Sequence, residues 1–172
     1  MKNIFKYLAV MAMSVALTGL VACDPEPDPE PTPDTDTEST TYAIIYEDNA
    51  VAAGTTLVYN PSDDEIRNGL AVIHLLLENK TSETVSTVMI VEKTEGPAAM
   101  DDLMICFNED CNNPTAPWTS SPFTLEPGVN YQMPISFDYN PSKVTSKTTY
   151  RVSICKSGSL EDPQVIFINV ND

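Results

Sequence analysis

The sequence predicts an all-β domain in which two antiparallel sheets pack face to face as a sandwich. Short runs of β-branched and aromatic residues alternate with a period of two, the pattern of half-buried strands. Clusters of Pro, Gly, Asn and Asp separate these runs, and about eight such strands suit a two-sheet sandwich. No stretch keeps the i, i+3, i+4 apolar spacing of a helix over three turns. With 172 residues, 42% of them apolar, the chain is long enough for one such domain with appendages.

Two central runs of the domain predict a hairpin. Residues 70–77 are nearly all apolar, which indicates a strand that is buried on both faces or covered by a neighbour. Residues 84–92 are rich in the β-branched side chains that suit a pleated surface. Because the segment 79–83 between them is a polar turn, we expect the two strands to pair with each other.

The other predicted strands are shorter or more irregular. In the last strand, 165–170, Val165, Phe167 and Asn169 face one way, and the three residues between and after them face the other. The remaining predicted strands are 42–46, 56–59, 103–107, 129–139 with a bend at Pro134, and 148–155.

Residues 1–22 have the features of a signal peptide. Lys2 and Lys6 give a positive start, and the apolar run 8–21 is shorter than the roughly 18 to 20 residues of a membrane span. The run ends in Leu20-Val21-Ala22-Cys23, which resembles the lipobox of bacterial lipoproteins. The resemblance implies that Cys23 is acylated, becomes the mature N-terminus, and holds the protein to a membrane through its acyl chains. The alternative is a plain secretory signal.

Residues 23–40 predict a disordered acidic stalk after the lipidated cysteine. Five prolines alternate mostly with Asp, Glu and Thr, and proline removes backbone donors, so neither a helix nor a central strand can form. Seven carboxylates between Asp24 and Glu38 repel one another and keep the segment extended. An acidic run directly after the cysteine resembles the export signal of Bacteroidota surface lipoproteins. The resemblance implies an outer-membrane lipoprotein on the cell surface, and the periplasmic face of that membrane is the alternative.

Residues 41–172 form the predicted folded domain, and its charge excludes one class of function. The whole chain has 25 acidic and 9 basic residues, a net charge of −16. Without the seven stalk carboxylates and the two lysines of the signal peptide, 18 acidic and 7 basic residues remain, a net charge of −11. A domain this acidic has no basic patch with which to neutralise phosphates, so we expect no nucleic-acid partner.

The domain resembles the small immunoglobulin-like sandwiches of secreted Bacteroidota proteins. The likeness covers roughly residues 70–170 and is a pattern of strands and turns, so it implies a fold and little about activity. Its segments are Met104-Ile105-Cys106-Phe107-Asn108 with Cys111, Phe123-Thr124-Leu125-Glu126-Pro127-Gly128, Phe137-Asp138-Tyr139-Asn140-Pro141 and Tyr150-Arg151-Val152.

Three cysteines remain in the domain, and an oxidising envelope favours a disulfide. Cys106 and Cys111 are separated by a turn-like stretch of four residues, which can bring their Cα atoms within about 6 Å. This pair is the preferred bridge, and Cys106 with Cys155 is the rival. One histidine and no two close pairs of cysteines argue against a zinc site.

Trp118 is the candidate ligand contact. It is the only tryptophan and lies in the proline-rich segment 112–122, where an exposed ring can stack on a sugar or fill a partner's pocket. The alternative is that the ring folds back and caps the core of the sandwich.

We expect no catalytic residues and no cofactor. His74 lies within an apolar run without a nucleophile motif nearby, so it is expected to be an ordinary strand residue. The carboxylate pairs 63–64, 101–102 and 109–110 are adjacent residues in turns, whereas calcium takes oxygens from spaced positions along a loop. The sequence therefore predicts a non-catalytic binding or adhesion-type lipoprotein with an unknown protein or glycan partner. The alternatives are an assembly component of an outer-membrane complex and, less favoured, a carboxylate-dependent hydrolase.

Overall fold

Thirteen strands and one short 3₁₀ helix form the part of the chain that the computed structural model describes, residues 37–62, 64–107 and 110–171. The predicted signal peptide, Cys23 and most of the predicted stalk lie outside these residues. In chain order the strands are β1 (Tyr42–Tyr46), β2 (Asn49–Val51), β3 (Thr56–Tyr59), β4 (Ala71–Asn79), β5 (Val85–Glu95), β6 (Leu103–Phe107), β7 (Asp110–Asn112), β8 (Trp118–Thr119), β9 (Phe123–Leu125), β10 (Gly128–Val129), β11 (Ile135–Tyr139), β12 (Thr148–Lys156) and β13 (Gln164–Val170). The 3₁₀ helix spans Met100–Asp102.

The strands form two sheets. Sheet 1 has the order β2-β1-β4-β11-β6-β7, and β10 also pairs with β4. Sheet 2 has the order β3-β13-β12-β5-β8, and β9 also pairs with β5. The pairings between these strands are antiparallel except that of β3 with β13, which is parallel. The predicted all-β, immunoglobulin-like sandwich is confirmed, with one parallel pair at an edge.

The core lies between the sheets because alternate residues of each long strand point inward. In β13, Ile166, Ile168 and Val170 belong to the core and Val165 and Phe167 face outward, as the alternation predicts. Burying one such aliphatic side chain contributes about 1.5–3 kcal/mol, so this alternation is the main determinant of the fold. The largest fully buried side chains are Tyr42, Tyr139, Tyr150, Phe137, Ile44, Ile73, Leu75, Leu77, Met89, Leu103, Ile105 and Leu125.

The hairpin predicted for 70–77 and 84–92 is wrong, because β4 lies in sheet 1 and β5 in sheet 2. Asn79 is buried at the end of β4 and holds the crossing segment. Its side-chain NH₂ donates to the carbonyls of Glu83 (2.8 Å) and Leu125 (3.0 Å), and its Oδ1 accepts from the backbone N–H of Thr81 (3.0 Å). These bonds direct the chain from one sheet to the other, and each strand then buries its own apolar face in the shared core.

Two further strand predictions need correction. β4 alternates rather than being buried on both faces: Val72 is half-buried and His74 exposed, between fully buried neighbours. The predicted strand 129–139 is two strands, β10 and β11, which both pair with β4. Val129 and Ile135 are six positions apart, but their partners on β4, Glu78 and Leu75, are only three positions apart, so the extra residues between the two strands leave the ladder.

Residues 38–41, most of which the sequence assigns to the stalk, are bonded to one end of the sandwich. The carboxylate of Asp162 accepts hydrogen bonds from the backbone and hydroxyl groups of both Thr40 and Thr41. The backbone N–H of Ser39 donates to Oε1 of Gln164 (3.2 Å), and the backbone N–H of Ala53 donates to Oε1 of Glu38 (2.8 Å). The ordered body of the domain therefore begins ahead of β1.

Candidate binding groove between the sheet edges

The outer edge of sheet 1 is a disulfide-bonded hairpin. β7 pairs with β6 so that Cys111 lies directly opposite Cys106, and the two are joined by a disulfide with a Cα–Cα distance of 4.0 Å. Cys155 is a free, buried thiol on β12. The preferred pairing is thus the one in the structure, and the rival bridge to Cys155 is not formed.

The register of this hairpin turns two polar residues toward the gap between the sheets. Phe107 and Ile105 point into the core, and their partners on β7 are Asp110 and Asn112. Because directly opposed residues share a face, both polar side chains lie on the inward side of β7, where they are exposed. At this edge the core gives way to a polar surface that solvent reaches.

The facing edge belongs to sheet 2 and is formed by β8 and β9 on β5. Ser120 attaches the end of β8 to β5 through two bonds with Met89. Its backbone N–H donates to the Met89 carbonyl (2.9 Å), and its Oγ accepts from the Met89 N–H (2.9 Å). The hydroxyl group thereby replaces a backbone acceptor where the ladder ends, which fixes the position of Trp118 and Thr119.

An open groove lies between these two edges, and we call it the edge groove. It has a volume of about 380 Å³ and is lined by Phe107, Asp110, Cys111, Asn112, Trp118, Thr119, Ser120, Ser121, Pro122 and Phe123. The Phe107 and Phe123 rings meet with centroids 4.4 Å apart, tilted by 56°, and join the two sheets. The lining therefore combines aromatic rings with hydroxyl, amide and carboxylate groups.

Trp118 combines the two roles that the sequence left open. It lies opposite Val91, a fully buried residue, so its ring points to the inward side of sheet 2 and packs against the core. The side chain is only half-buried, and it also lines the edge groove. Part of the ring therefore contributes to the core while part is available to a ligand.

The other candidate residues do not converge on the groove. His74 is exposed on the outward face of sheet 1, opposite Ser136. Asp101 and Asp102 lie in the 3₁₀ helix, where Oδ2 of Asp102 accepts the backbone N–H of Ala99 (3.1 Å). Residues 63 and 109 lie outside the described residues.

Metal-binding clusters and membrane-spanning helices are both absent from the part of the chain that the structure describes. In that part, no group of three or more His, Cys, Asp or Glu side chains is placed to hold a metal ion. No helix there has the length and hydrophobicity needed to cross a bilayer.

Sequence reasoning identified Trp118 but missed the opposite wall of the groove. Asp110 and Asn112 follow from the disulfide itself, since a bridge between directly opposed residues fixes the register of the hairpin. The contact of Phe107 with Phe123 has no comparable signal in the sequence. The two residues lie on strands of different sheets, and no local pattern indicates which strands face each other across the core.

Comparison with known proteins supports the fold. No family model and no curated protein matches the chain. The N-terminal domain of PorA superposes with a TM-score of 0.56 at 12% identity, over 75% of this chain and 95% of that one. A conjugative transposon lipoprotein from Bacteroides eggerthii gives 0.42 at 8% identity, over 78% and 100%. The CooA pilin subunit from enterotoxigenic Escherichia coli gives 0.41 at 12% identity, over 76% and 97%. The likeness to the PorA domain shows a shared sandwich fold.

Proposed function

We propose that the chain is a surface lipoprotein, anchored to the outer membrane through Cys23, whose sandwich binds a partner at the edge groove and catalyses no reaction. The observation that carries the binding role is the groove itself, where Trp118, Asp110 and Asn112 lie on facing sheet edges. The exposed lining of the groove is mostly polar, with aromatic rings beside the polar groups. Aromatic rings next to hydrogen-bonding groups are suited to stacking on a sugar or packing against a partner. The predicted lipobox and acidic stalk support the location.

The groove is better suited to binding than to hydrolysis. A carboxylate-dependent hydrolase needs two convergent carboxyl groups, one as acid and one as base or nucleophile. Asp110 is the one carboxylate among the described residues that line the groove. The hydroxyl and amide groups of Thr119, Ser121 and Asn112 can instead exchange hydrogen bonds with a sugar while Trp118 stacks on its ring.

Binding can be tested with a matched pair of exposed threonines on neighbouring strands. Thr119 lines the groove, whereas Thr124 on β9 is also exposed but is not part of the lining. The wild-type chain, Thr119→Arg and Thr124→Arg would be applied to a glycan array and used to capture proteins from native outer membranes. We expect Thr119→Arg to abolish the ligand signal and Thr124→Arg to retain it. Equal retention by both variants would place the binding surface elsewhere.

The location has its own test. Mass spectrometry of the native protein is expected to show an acylated Cys23 as the first residue. Proteinase treatment of intact cells should release the domain. An unmodified N-terminus would contradict the anchor, and protection until the outer membrane is breached would place the domain on the periplasmic face.

An assembly component is the second candidate, and the edge of sheet 2 supports it. β3 is a four-residue edge strand that pairs only with β13 among the described strands, and its Val58 is 54% exposed. Edge strands with exposed apolar residues are sites where another chain can add a strand. Val58→Lys should then dissociate a native complex, as seen by cross-linking in membranes, while Thr119→Arg leaves it intact.

A further inference from the structure

The edge groove runs parallel to the strands and has aromatic side chains at both ends. Trp118 pairs with Val91 of β5, and Phe123 pairs with Thr87, which lies four residues away, or about 13 Å along the strand. Phe123 is also the residue that meets Phe107 from sheet 1. Trp118 therefore lies at one end of the groove and the two phenylalanine rings lie at the other.

The loop between β10 and β11 continues this line beyond the phenylalanine rings. Ile135, the first residue of β11, lies opposite Phe107, and the loop directly precedes it. β10, at the start of the loop, pairs with β4 three residues past the partner of Ile135, or about 10 Å farther along the strand. At this same end of β4, Asn79 donates to the carbonyl of Leu125, the last residue of β9 (3.0 Å). The loop thus lies on the side of the rings away from Trp118.

This loop carries an exposed aromatic residue on a fixed base. Tyr131 is 71% exposed, more than any other large hydrophobic side chain in the part of the chain that the structure describes. The neighbouring Asn130 donates its backbone N–H to the carbonyl of Leu77 (2.9 Å) and its side-chain NH₂ to the carbonyls of Glu126 and Gly128 (both 3.1 Å). An aromatic ring on a loop that is already ordered loses little conformational entropy on binding, which suits it to contact a ligand.

The two edges of the groove offer a peptide strand little backbone with which to pair. β7 has three residues, and Pro114 follows two positions after it. On the other edge, Pro122 lies between the short strands β8 and β9. Proline has no N–H to donate and interrupts a ladder. Since strand addition depends on main-chain hydrogen bonds, these edges favour a ligand that is recognised by side chains instead.

The side chains of the groove are suited to a sugar without charge. The hydroxyl groups of Thr119 and Ser121 and the amide of Asn112 can each donate and accept, and the carboxylate of Asp110 accepts. The apolar face of a sugar ring can stack on an aromatic ring. Lys and Arg are absent from the described residues that line the groove. The domain from residue 41 has 18 acidic and 7 basic residues, a net charge of −11, so an acidic sugar would be repelled.

We propose that the ligand of the edge groove is an uncharged oligosaccharide, which contacts Trp118 at one end of the groove and Tyr131 beyond the other. This inference rests on the proposed binding function and adds the chemistry of the ligand and a second aromatic contact. The register separates the two residues by roughly 13 to 23 Å along the strands. A short sugar chain therefore reaches only one of them, whereas a longer chain reaches both.

The dependence of affinity on ligand length tests the second contact. The neutral linear glycans that the wild-type chain binds on a glycan array would be titrated, as disaccharides and as hexasaccharides, into wild type, Tyr131→Ala and Tyr131→Phe. We expect Tyr131→Ala to weaken hexasaccharide binding about tenfold and to leave disaccharide binding unchanged. Tyr131→Phe keeps the ring and should match wild type.

Leu160→Ala is the control for loss of an exposed apolar side chain. Leu160 is 55% exposed and lies between β12 and β13, away from the edge of sheet 2 that forms the groove. It should bind both ligands as wild type does. Each variant is first checked for an unchanged Tm, since all three substitutions are at exposed positions.

Three results would overturn the proposal. The first is an array on which no neutral glycan is bound, whether acidic glycans or a captured protein are bound instead. The second is a hexasaccharide affinity of Tyr131→Ala equal to that of wild type. The third is an equal loss in Leu160→Ala, which would indicate an effect unrelated to the loop. Failure of the groove itself has a different signature, because Thr119→Arg would then retain binding.

Discussion

Replacing Asp162 by Asn should loosen the N-terminal end of the domain, and the structure gives the size of the effect. The carboxylate accepts four hydrogen bonds: Thr40 N–H (2.8 Å) to Oδ1, and Thr40 Oγ1 (2.8 Å), Thr41 N–H (3.0 Å) and Thr41 Oγ1 (2.6 Å) to Oδ2. Asp162 has a positive φ of 50°, a conformation that Asn adopts readily and Ala does not. Asn therefore removes the charge and one acceptor atom without straining the backbone.

The expected loss is about 2 kcal/mol of unfolding free energy. A hydrogen bond to a charged group contributes about 1.5–3 kcal/mol when shielded, and less when solvent reaches it. The two bonds from Thr41 are partly buried and the two from Thr40 are exposed, so we count chiefly the Thr41 pair, both to Oδ2. For a domain of this size, about 2 kcal/mol corresponds to a decrease in Tm of roughly 6–10 °C.

The same substitution should change how stability depends on pH. Partial burial acts to raise the pKa of Asp162, but the hydrogen bonds from Thr41, Thr40 and Ser39 outweigh it and hold the pKa below its ordinary value. A depressed folded-state pKa stabilises the protein above the unfolded pKa of about 3.9, and that stabilisation is lost as pH falls through the folded value. The difference in stability between wild type and Asp162→Asn should thus be largest above about pH 5 and shrink in stronger acid.

Urea denaturation of both chains between pH 2 and pH 7 measures the effect. Asp48→Asn is the matched control, since Asp48 is an exposed aspartate with a positive φ of 63° in the turn after β1. We expect the control to stay within about 0.5 kcal/mol of wild type at every pH. The reasoning is refuted if Asp162→Asn is as stable as wild type at neutral pH, or if its deficit does not change with acidification.

Three further changes test other parts of the structure. Gly96→Ala should lower the free energy of unfolding by about 3 kcal/mol in thermal unfolding, because the φ of Gly96 is +96° and an added Cβ would lie 2.5 Å from a backbone carbonyl oxygen. The control Gly158→Ala, where a Cβ would enter open space, should lower it by only about 1 kcal/mol. Changing Cys106 and Cys111 to Ser together should cost about 2 kcal/mol in denaturant, the value for so short a closed loop, and a loss near zero would contradict it. Trp118, being half-buried, should emit between the maxima of buried and exposed indole and be partly quenched by iodide; full or absent quenching would contradict its position.

The strands that could be predicted from the sequence are those whose pattern is local. The alternation in residues 165–170 places Ile166 and Ile168 in the core without any knowledge of the partner strand, because the period of two belongs to the strand itself. The disulfide is local in the same sense, since its two cysteines are five positions apart across one hairpin. Local pattern does not determine the sheet to which a strand belongs, and the predicted pairing of β5 with β4 is wrong for that reason.

The short edge strands could not be predicted, and the candidate site is built from them. β7 and β8 have three and two residues, too few for any periodicity, and they exist because the longer strands β6 and β5 present open backbone groups beside them. The role of Trp118 likewise depends on a long-range register, its pairing with Val91, which turns the ring inward.

The edge groove follows from a mismatch between strand geometry and side-chain chemistry. An inward position on a sandwich strand is normally apolar, because a polar group buried there without partners costs free energy. β7 carries Asp110 and Asn112 at both of its inward positions, so the two sheets cannot close over this strand without desolvating them. Phe107 and Phe123 close the core one step further in, and the space beyond them stays open to solvent. The polar residues thus keep the edge of the sandwich open, and they do so beside the half-buried ring of Trp118.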